Sequence, residues 1–161
     1  MKTLFLMRHA KSSWDDQALR DFERPLNERG LKAAPLVGDF MRRKKIRPDL
    51  VLSSPAERAR QTAALVIEAA GISAALRFDE RIYEASAPQL LNVISQIEAS
   101  VSTALLIGHN PGFENLLSLL TGEAHRMPTA ALAHISLDIE KWSNARELCG
   151  QLAWLVKPKE L

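Results

Sequence analysis

Residues 2–8, 49–53 and 103–107 form short, almost continuously apolar runs. A strand with one wet face alternates apolar and polar residues, whereas a strand covered on both faces does not. These runs therefore demand a sheet with a layer of structure on each side. Residues 75–78 form a weaker strand candidate. Residues 133–139 alternate cleanly and read as a half-exposed strand, and 147–156, beyond Ser143-Asn144, would close a hairpin with it.

Helical spacing fills the intervals. Ala59, Ala63, Val66, Ile67 and Ala70 recur at that period in 56–70, Leu90, Leu91, Ile94 and Ile97 in 88–98, and Phe113, Leu116, Leu117 and Leu120 in 111–120. A first helix over about 28–44 uses Ala33, Val37, Phe40 and Met41, with Pro35 predicting a kink or a later start. Ser54-Pro55-Ala56-Glu57 matches a capping box with Ser54 as N-cap, and Asn110-Pro111 repeats the cap-plus-proline pattern. Strands alternating with helices predict right-handed crossovers. The expected fold is α/β: a three-layer α/β/α sandwich, mostly parallel, with an antiparallel edge. With 161 residues and neither linker nor repeat, 1–161 reads as a single domain.

Bulk properties exclude several functions. No apolar run reaches the length of a membrane span. The N-terminal run is stopped at once by Arg8-His9, so no signal peptide is expected and the default location is cytoplasmic. A single Cys149 rules out an intramolecular disulfide and a thiolate zinc site. Net charge is only +2. The Arg42-Arg43-Lys44-Lys45 run lacks interleaved aromatics and reads as a solvated helix C-terminus, where cations suit the dipole, so no nucleic-acid partner is expected.

In an open α/β sheet, ligands bind at the carboxyl ends of the strands. Arg8-His9 ends the first strand, Ser53-Ser54-Pro55 the second, with Arg58 following on its helix. Glu84 comes after the 75–78 candidate, and Gly108-His109 ends the run at 103–107. Taken singly, these are a surface pair, a helix start and a turn. Together they bring two histidines, two arginines and a carboxylate to one sheet edge. Guanidinium forks and helix N-termini bind phosphate, and histidine offers a nucleophile. The two arginines would oppose a divalent cation, so no metal or other cofactor is expected.

These residues resemble the histidine phosphatase, or phosphoglycerate-mutase-like, superfamily. Leu6-Met7-Arg8-His9-Ala10 is similar to its Arg-His-Gly signature, Ser54-Pro55-Ala56-Glu57-Arg58 with Gln61-Thr62 to its second block, and Ile107-Gly108-His109-Asn110 to its third. Arg24-Pro25-Leu26 with Gly30 matches a further stretch. The shortness and the Arg-His-Ala-Lys-Ser-Ser-Trp opening resemble the SixA-type phosphohistidine phosphatases. The resemblance implies that His9 carries the phosphoryl group, that Arg8 and Arg58 clamp it, and that His109 hydrogen-bonds the transferring group. Arg24 would touch the phosphate or shape the pocket, Ser12 is a further candidate ligand for it, and Glu84 lies where larger relatives carry a general acid. A carboxylate beside two arginines should be held ionised, which sits badly with an acid's role. Ala10 replaces the usual Gly, so the loop after His9 must avoid positive φ or carry strain. The implied substrate is a phosphorylated protein, above all one carrying phosphohistidine. A small phosphorylated metabolite is the alternative, and a non-catalytic phosphate-binding domain a third reading. Trp14 follows the nucleophile closely enough to border the pocket, whereas Trp142 and Trp154 read as packing residues.

Overall fold

The computed structural model describes residues 1–161. Six strands, β1 (Lys2–Arg8), β2 (Leu50–Ser53), β3 (Ala75–Phe78), β4 (Thr103–Gly108), β5 (Leu132–Leu137) and β6 (Gly150–Val156), make one sheet in the order β3-β2-β4-β1-β5-β6. The first four in that order are parallel, and β5 and β6 form the antiparallel edge.

Four helices cover the sheet: α1 (Glu28–Arg43), α2 (Glu57–Ala70), α3 (Ala87–Ser95) and α4 (Gly112–Thr121). Strand pleat sends successive side chains to opposite faces. Leu4 and Leu6 of β1, Leu50 and Leu52 of β2, and Ala104 and Leu106 of β4 pack with Leu90, Ile94, Phe113 and Leu117 of α3 and α4. Their neighbours Phe5, Met7, Val51, Leu105 and Ile107 pack with Val37, Met41, Ala63 and Val66 of α1 and α2. Each apolar run thus feeds two cores at once, which is why it does not alternate.

Several local expectations change. The helix α1 starts at Glu28, capped by Asn27, whose side chain accepts from Gly30 N–H at 2.9 Å, and it continues through Pro35. No capping box forms at Ser54: α2 starts at Glu57 with Ala56 as its flanking residue and no side-chain cap. The polar positions His134 and Ser136 of β5 are partly buried, and His134 stacks on Phe5 with ring centroids 4.6 Å apart. The 42–45 run does sit at the end of α1, where Arg42 and Arg43 both pair with Asp39.

Where α1 crosses α2 the backbones meet at Gly38. A Cβ there would lie 2.7 Å from Ala69 Cβ and 2.8 Å from the Val66 carbonyl oxygen, a fixed backbone atom. Alanine is the better helix former by about 1 kcal/mol, but overpacking a fixed contact costs typically about 1–3 kcal/mol. Gly38→Ala should therefore lower stability. Urea unfolding should show a lower midpoint with an unchanged slope, and an unchanged or higher midpoint would refute the close approach.

Candidate active site

Sheet register sets the centre of the site. Arg8 pairs with Gly108 across β1 and β4, so the next residues, His9 and His109, emerge side by side. The His9 N–H donates to the Gly108 carbonyl at 2.9 Å, and the two rings lie 5.1 Å apart between centroids. On the other flank of β4, Ser53 pairs with Ile107, which sets Ser54 next to His109. Connections leave β1 and β4 toward opposite sides of the sheet, the topology that opens a crevice at the strand ends.

Hydrogen bonds fix the tautomer of His9. His9 Nδ1 lies 2.7 Å from the Ala10 carbonyl oxygen. That oxygen can only accept, so Nδ1 carries the proton and Nε2 keeps its lone pair. Arg58 Nε donates toward the same Nε2 at 3.4 Å. At the neighbouring ring, Ser54 Oγ lies 2.7 Å from His109 Nε2 and already accepts from the Ala56 N–H at 3.2 Å. A hydroxyl has one donor and two acceptor sites, so this contact is met by either tautomer of His109: where the hydroxyl donates to Nε2, the ring proton sits on Nδ1. That buried Nδ1 has no protein partner, nor does the buried Nε of Arg8. Two buried polar atoms at the site are thus left without a protein partner.

Burial keeps both rings neutral. It lowers His9 to about 4, outweighing the Ala10 carbonyl bond, and the cationic Arg58, Arg8 and Arg24 push the same way. His109 is lowered to about 3 by burial, then by His9 and Arg58, against the charge of Asp21. Arg8 is also lowered by burial, with Glu114 opposing, and stays a cation. Its Nη1 donates to the Met127 carbonyl at 3.1 Å, an oxygen shared with the Asn110 side chain at 2.9 Å.

The loop after His9 is held from behind. Ala10 is buried, and its φ is not among the positive ones, so alanine fits where glycine is usual. The Ala10 N–H donates to Thr62 Oγ1 at 3.0 Å, while the Gln61 side chain accepts from Leu26 N–H at 2.7 Å. A Cβ on Gly30 would lie 2.2 Å from the Lys11 carbonyl oxygen, so only glycine lets α1 back this loop so closely. The Gln-Thr pair and the distant glycine of the sequence patterns therefore act as struts.

Of the anticipated site residues, Arg8, His9, Ser12, Arg24, Arg58 and His109 line one pocket of about 260 Å³. Arg24 does not present free nitrogens to it. Its Nε donates to the Ser13 carbonyl, Nη1 to Asp21 and Nη2 to Ser12 Oγ, and the Trp14 ring covers its guanidinium. Trp14 itself borders the pocket and is exposed. Glu84 lies apart, exposed, in an adjoining cavity of about 690 Å³ that also reaches Arg58 and His109. Its backbone is left-handed, with φ of 54°.

The carboxylate between the arginines is instead Asp21, which the sequence patterns did not single out. Its Oδ2 accepts from Arg58 Nη2 at 3.0 Å and the Tyr83 hydroxyl at 2.6 Å, its Oδ1 accepts from Arg24 Nη1 at 2.8 Å, and its carbonyl accepts from Arg58 Nη1 at 2.7 Å. Partial burial opposes its ionisation, but the Tyr83 hydrogen bond and the Arg58 charge outweigh that and lower it to about 2. Only its place three residues before Arg24 could have hinted at this. The remaining histidines are elsewhere: His125 faces Glu123 and His134 lies under Trp154. No three His, Cys, Asp or Glu side chains cluster as a metal site, and no helix is long and apolar enough to cross a membrane.

Known proteins are similar to this chain in sequence and fold. Residues 4–105 match the model of the histidine phosphatase superfamily (branch 1). An uncharacterised chloroplastic protein of Arabidopsis thaliana is 33% identical over 162 residues, covering 95% of this chain and 74% of its own. The SixA structure from Agrobacterium tumefaciens superposes with a TM-score of 0.84 at 30% identity, covering 98% of each chain. The protein histidine phosphatase SixA complexed with tungstate shares the fold, with a TM-score of 0.86 at 23% identity over 98% of each chain. By sequence match and architecture together, the chain belongs to the histidine phosphatase superfamily, branch 1, and within it to the SixA type.

Proposed function

We propose that this phosphatase hydrolyses phosphohistidine on a protein, without a metal ion, by passing the phosphoryl group through His9. The observation that carries the reading is the bond from His9 Nδ1 to the Ala10 carbonyl, which leaves a neutral ring with its Nε2 lone pair toward Arg58 and the pocket. In the first step, Nε2 attacks phosphorus as the bond to the leaving nitrogen breaks. In the second, water attacks the phospho-His9, Nε2 leaves with its electron pair, and inorganic phosphate is released. Phosphoryl transfer needs chiefly positioning and charge. Arg8 Nε and His109 Nδ1, both without protein acceptors, are the donors for the equatorial oxygens.

Arg58 serves differently from a free clamp. Both terminal nitrogens are held by Asp21, so its Nε is the group nearest the reacting nitrogen. Asp21 is a positioning residue that aims Arg58, Arg24 and Tyr83. Ser12 reaches the phosphate through its hydroxyl, while Arg24 shapes the wall behind it. Metal independence is supported by the donor set, since guanidinium groups flank the histidines and the one nearby carboxylate, Asp21, is already held by Arg58, Arg24 and Tyr83. That a SixA enzyme of this fold binds tungstate, a tetrahedral oxyanion, supports a phosphate-shaped hollow.

The phosphohistidine reading also suits Glu84, whose exposed place beside the pocket makes it a weak general acid. Imidazole is a far better leaving group than an alkoxide and needs less help from an acid. A small-molecule phosphomonoesterase is the second reading, favoured by the adjoining cavity, whose polar Ser86, Gln89 and Asn115 could hold a compact leaving group.

A substrate panel run with a chelator separates these readings. Phosphohistidine on a peptide should turn over at least tenfold faster, in kcat/KM, than sugar phosphates, and an aryl phosphate should serve as a generic substrate. His9→Ala should abolish all turnover while inorganic phosphate still binds. Substantial activity in His9→Ala, or loss of activity with chelator, would refute the mechanism.

A pH dependence follows from the two buried rings. Unfolded histidines protonate near 6.5, whereas His9 and His109 resist until about 4 and about 3. Between those values the unfolded chain binds more protons, so stability is full above pH 6.5 and falls as pH drops. Each ring contributes a slope of at most about 1.4 kcal/mol per pH unit. Urea unfolding at pH 7, 6 and 5 should show this decline, and it should become shallower in His9→Ala, where the contribution of His109 remains. A flat wild-type profile would mean that the rings are not buried neutral.

A further inference from the structure

A second cavity of about 580 Å³ opens beside the phosphate pocket and shares Arg8, Lys11 and Thr129 with it. Its other cations come from three separate places: Arg29 in the first turn of α1, Arg126 in the loop between α4 and β5, and Lys157 and Lys159 after β6. None of these forms an ion pair. The single acid in the cavity, Glu114, is turned inward, accepting from Met127 N–H and Asn110. On a chain of net charge +2, a cavity with six cations is a concentrated positive field.

We infer that this groove receives acidic residues flanking the phosphorylated side chain of a partner protein, so that the enzyme selects phosphoproteins with an acidic surface. The inference rests on the protein-phosphohistidine reading above and adds the partner's chemistry to it. Its lining favours a polypeptide over a nucleotide, because no aromatic ring is present to stack a base and Ala33 and Met127 are its only apolar side chains apart from Pro128 and Pro158. Long, exposed cations at the rim match carboxylates on a neighbouring surface, where charge complementarity governs encounter rate and partner choice more than tight affinity. Sharing Arg8 makes the geometry continuous: the phosphoryl group enters on one side of that guanidinium and the acidic flank lies on the other.

The test uses two peptides bearing one phosphohistidine, one flanked by glutamates and one by serines, with an aryl phosphate as the basal substrate. The wild type should prefer the acidic peptide by roughly tenfold or more in kcat/KM, and the preference should shrink as salt rises from 0.05 to 0.5 M. A triple variant, Arg126→Glu, Lys157→Glu and Lys159→Glu, should lose the preference with unchanged aryl phosphate turnover. Equal rates on both peptides, or a preference that survives in the triple variant, would overturn the groove while leaving the phosphohistidine reading intact. If neither peptide turns over while the aryl phosphate does, both the reading and the groove's partner fail. If instead the triple variant loses only fructose 1,6-bisphosphate relative to fructose 6-phosphate, the groove serves a small polyanion, which also overturns the proposal.

Discussion

The parallel pairing of β1 with β4 is the constraint from which the site follows. Because Arg8 lies opposite Gly108, the chain must deliver His9 and His109 at the same level, one strand apart. A shift by one residue would turn one ring into the core layer, since strand side chains alternate between faces. The first turn of α2 then brings Arg58 over His9, and Ser54 meets His109 from the far side of β4. Within that frame the Ala10 carbonyl selects which nitrogen of His9 keeps its lone pair. Secondary structure thus places the polar groups of the site, and a backbone oxygen sets the protonation of His9.

The same arrangement stores some instability at the pocket. Arg8 Nε and His109 Nδ1 are buried polar atoms without protein partners, and each such group costs about 1–3 kcal/mol. Ala130 takes a left-handed backbone, its N–H bonded to the carbonyls of Arg8 and His9. The two continuous cores on either side of the sheet offset these costs. Asp21 moderates the rest: by neutralising part of the charge of Arg58 and Arg24, it lets two buried guanidinium groups sit near each other and near two neutral imidazoles.

Much of this could be read from the chain because the decisive features are local. Uninterrupted apolar runs announced strands with two covered faces, and the Arg-His and Gly-His pairs sit directly at strand ends. The Ser-Pro block was legible as the approach to a helix, yet its serine was misjudged. As a cap, Ser54 would need a helix starting beside it; the helix instead begins at Glu57, and the hydroxyl turns to His109, a partner 55 positions away. Asp21 and Tyr83 were missed for the same reason, since their bonds span 37 and 62 residues. Glu84 lines the cavity it shares with Arg58 and His109, and not the smaller one that holds His9. The basic groove gathers Arg29, Arg126 and Lys159 from three distant segments, and no sequence pattern joins them.

What unites these observations is a neutral imidazole presented nitrogen-first to a cationic hollow. Its most direct test is heteronuclear NMR of the phosphoenzyme trapped with an aryl phosphate, using labelled histidine to identify the phosphorylated nitrogen. The structure predicts one modified residue, His9, with phosphorus bonded to Nε2 and the proton retained on Nδ1. Phosphorus on Nδ1, or on any residue other than His9, would contradict it.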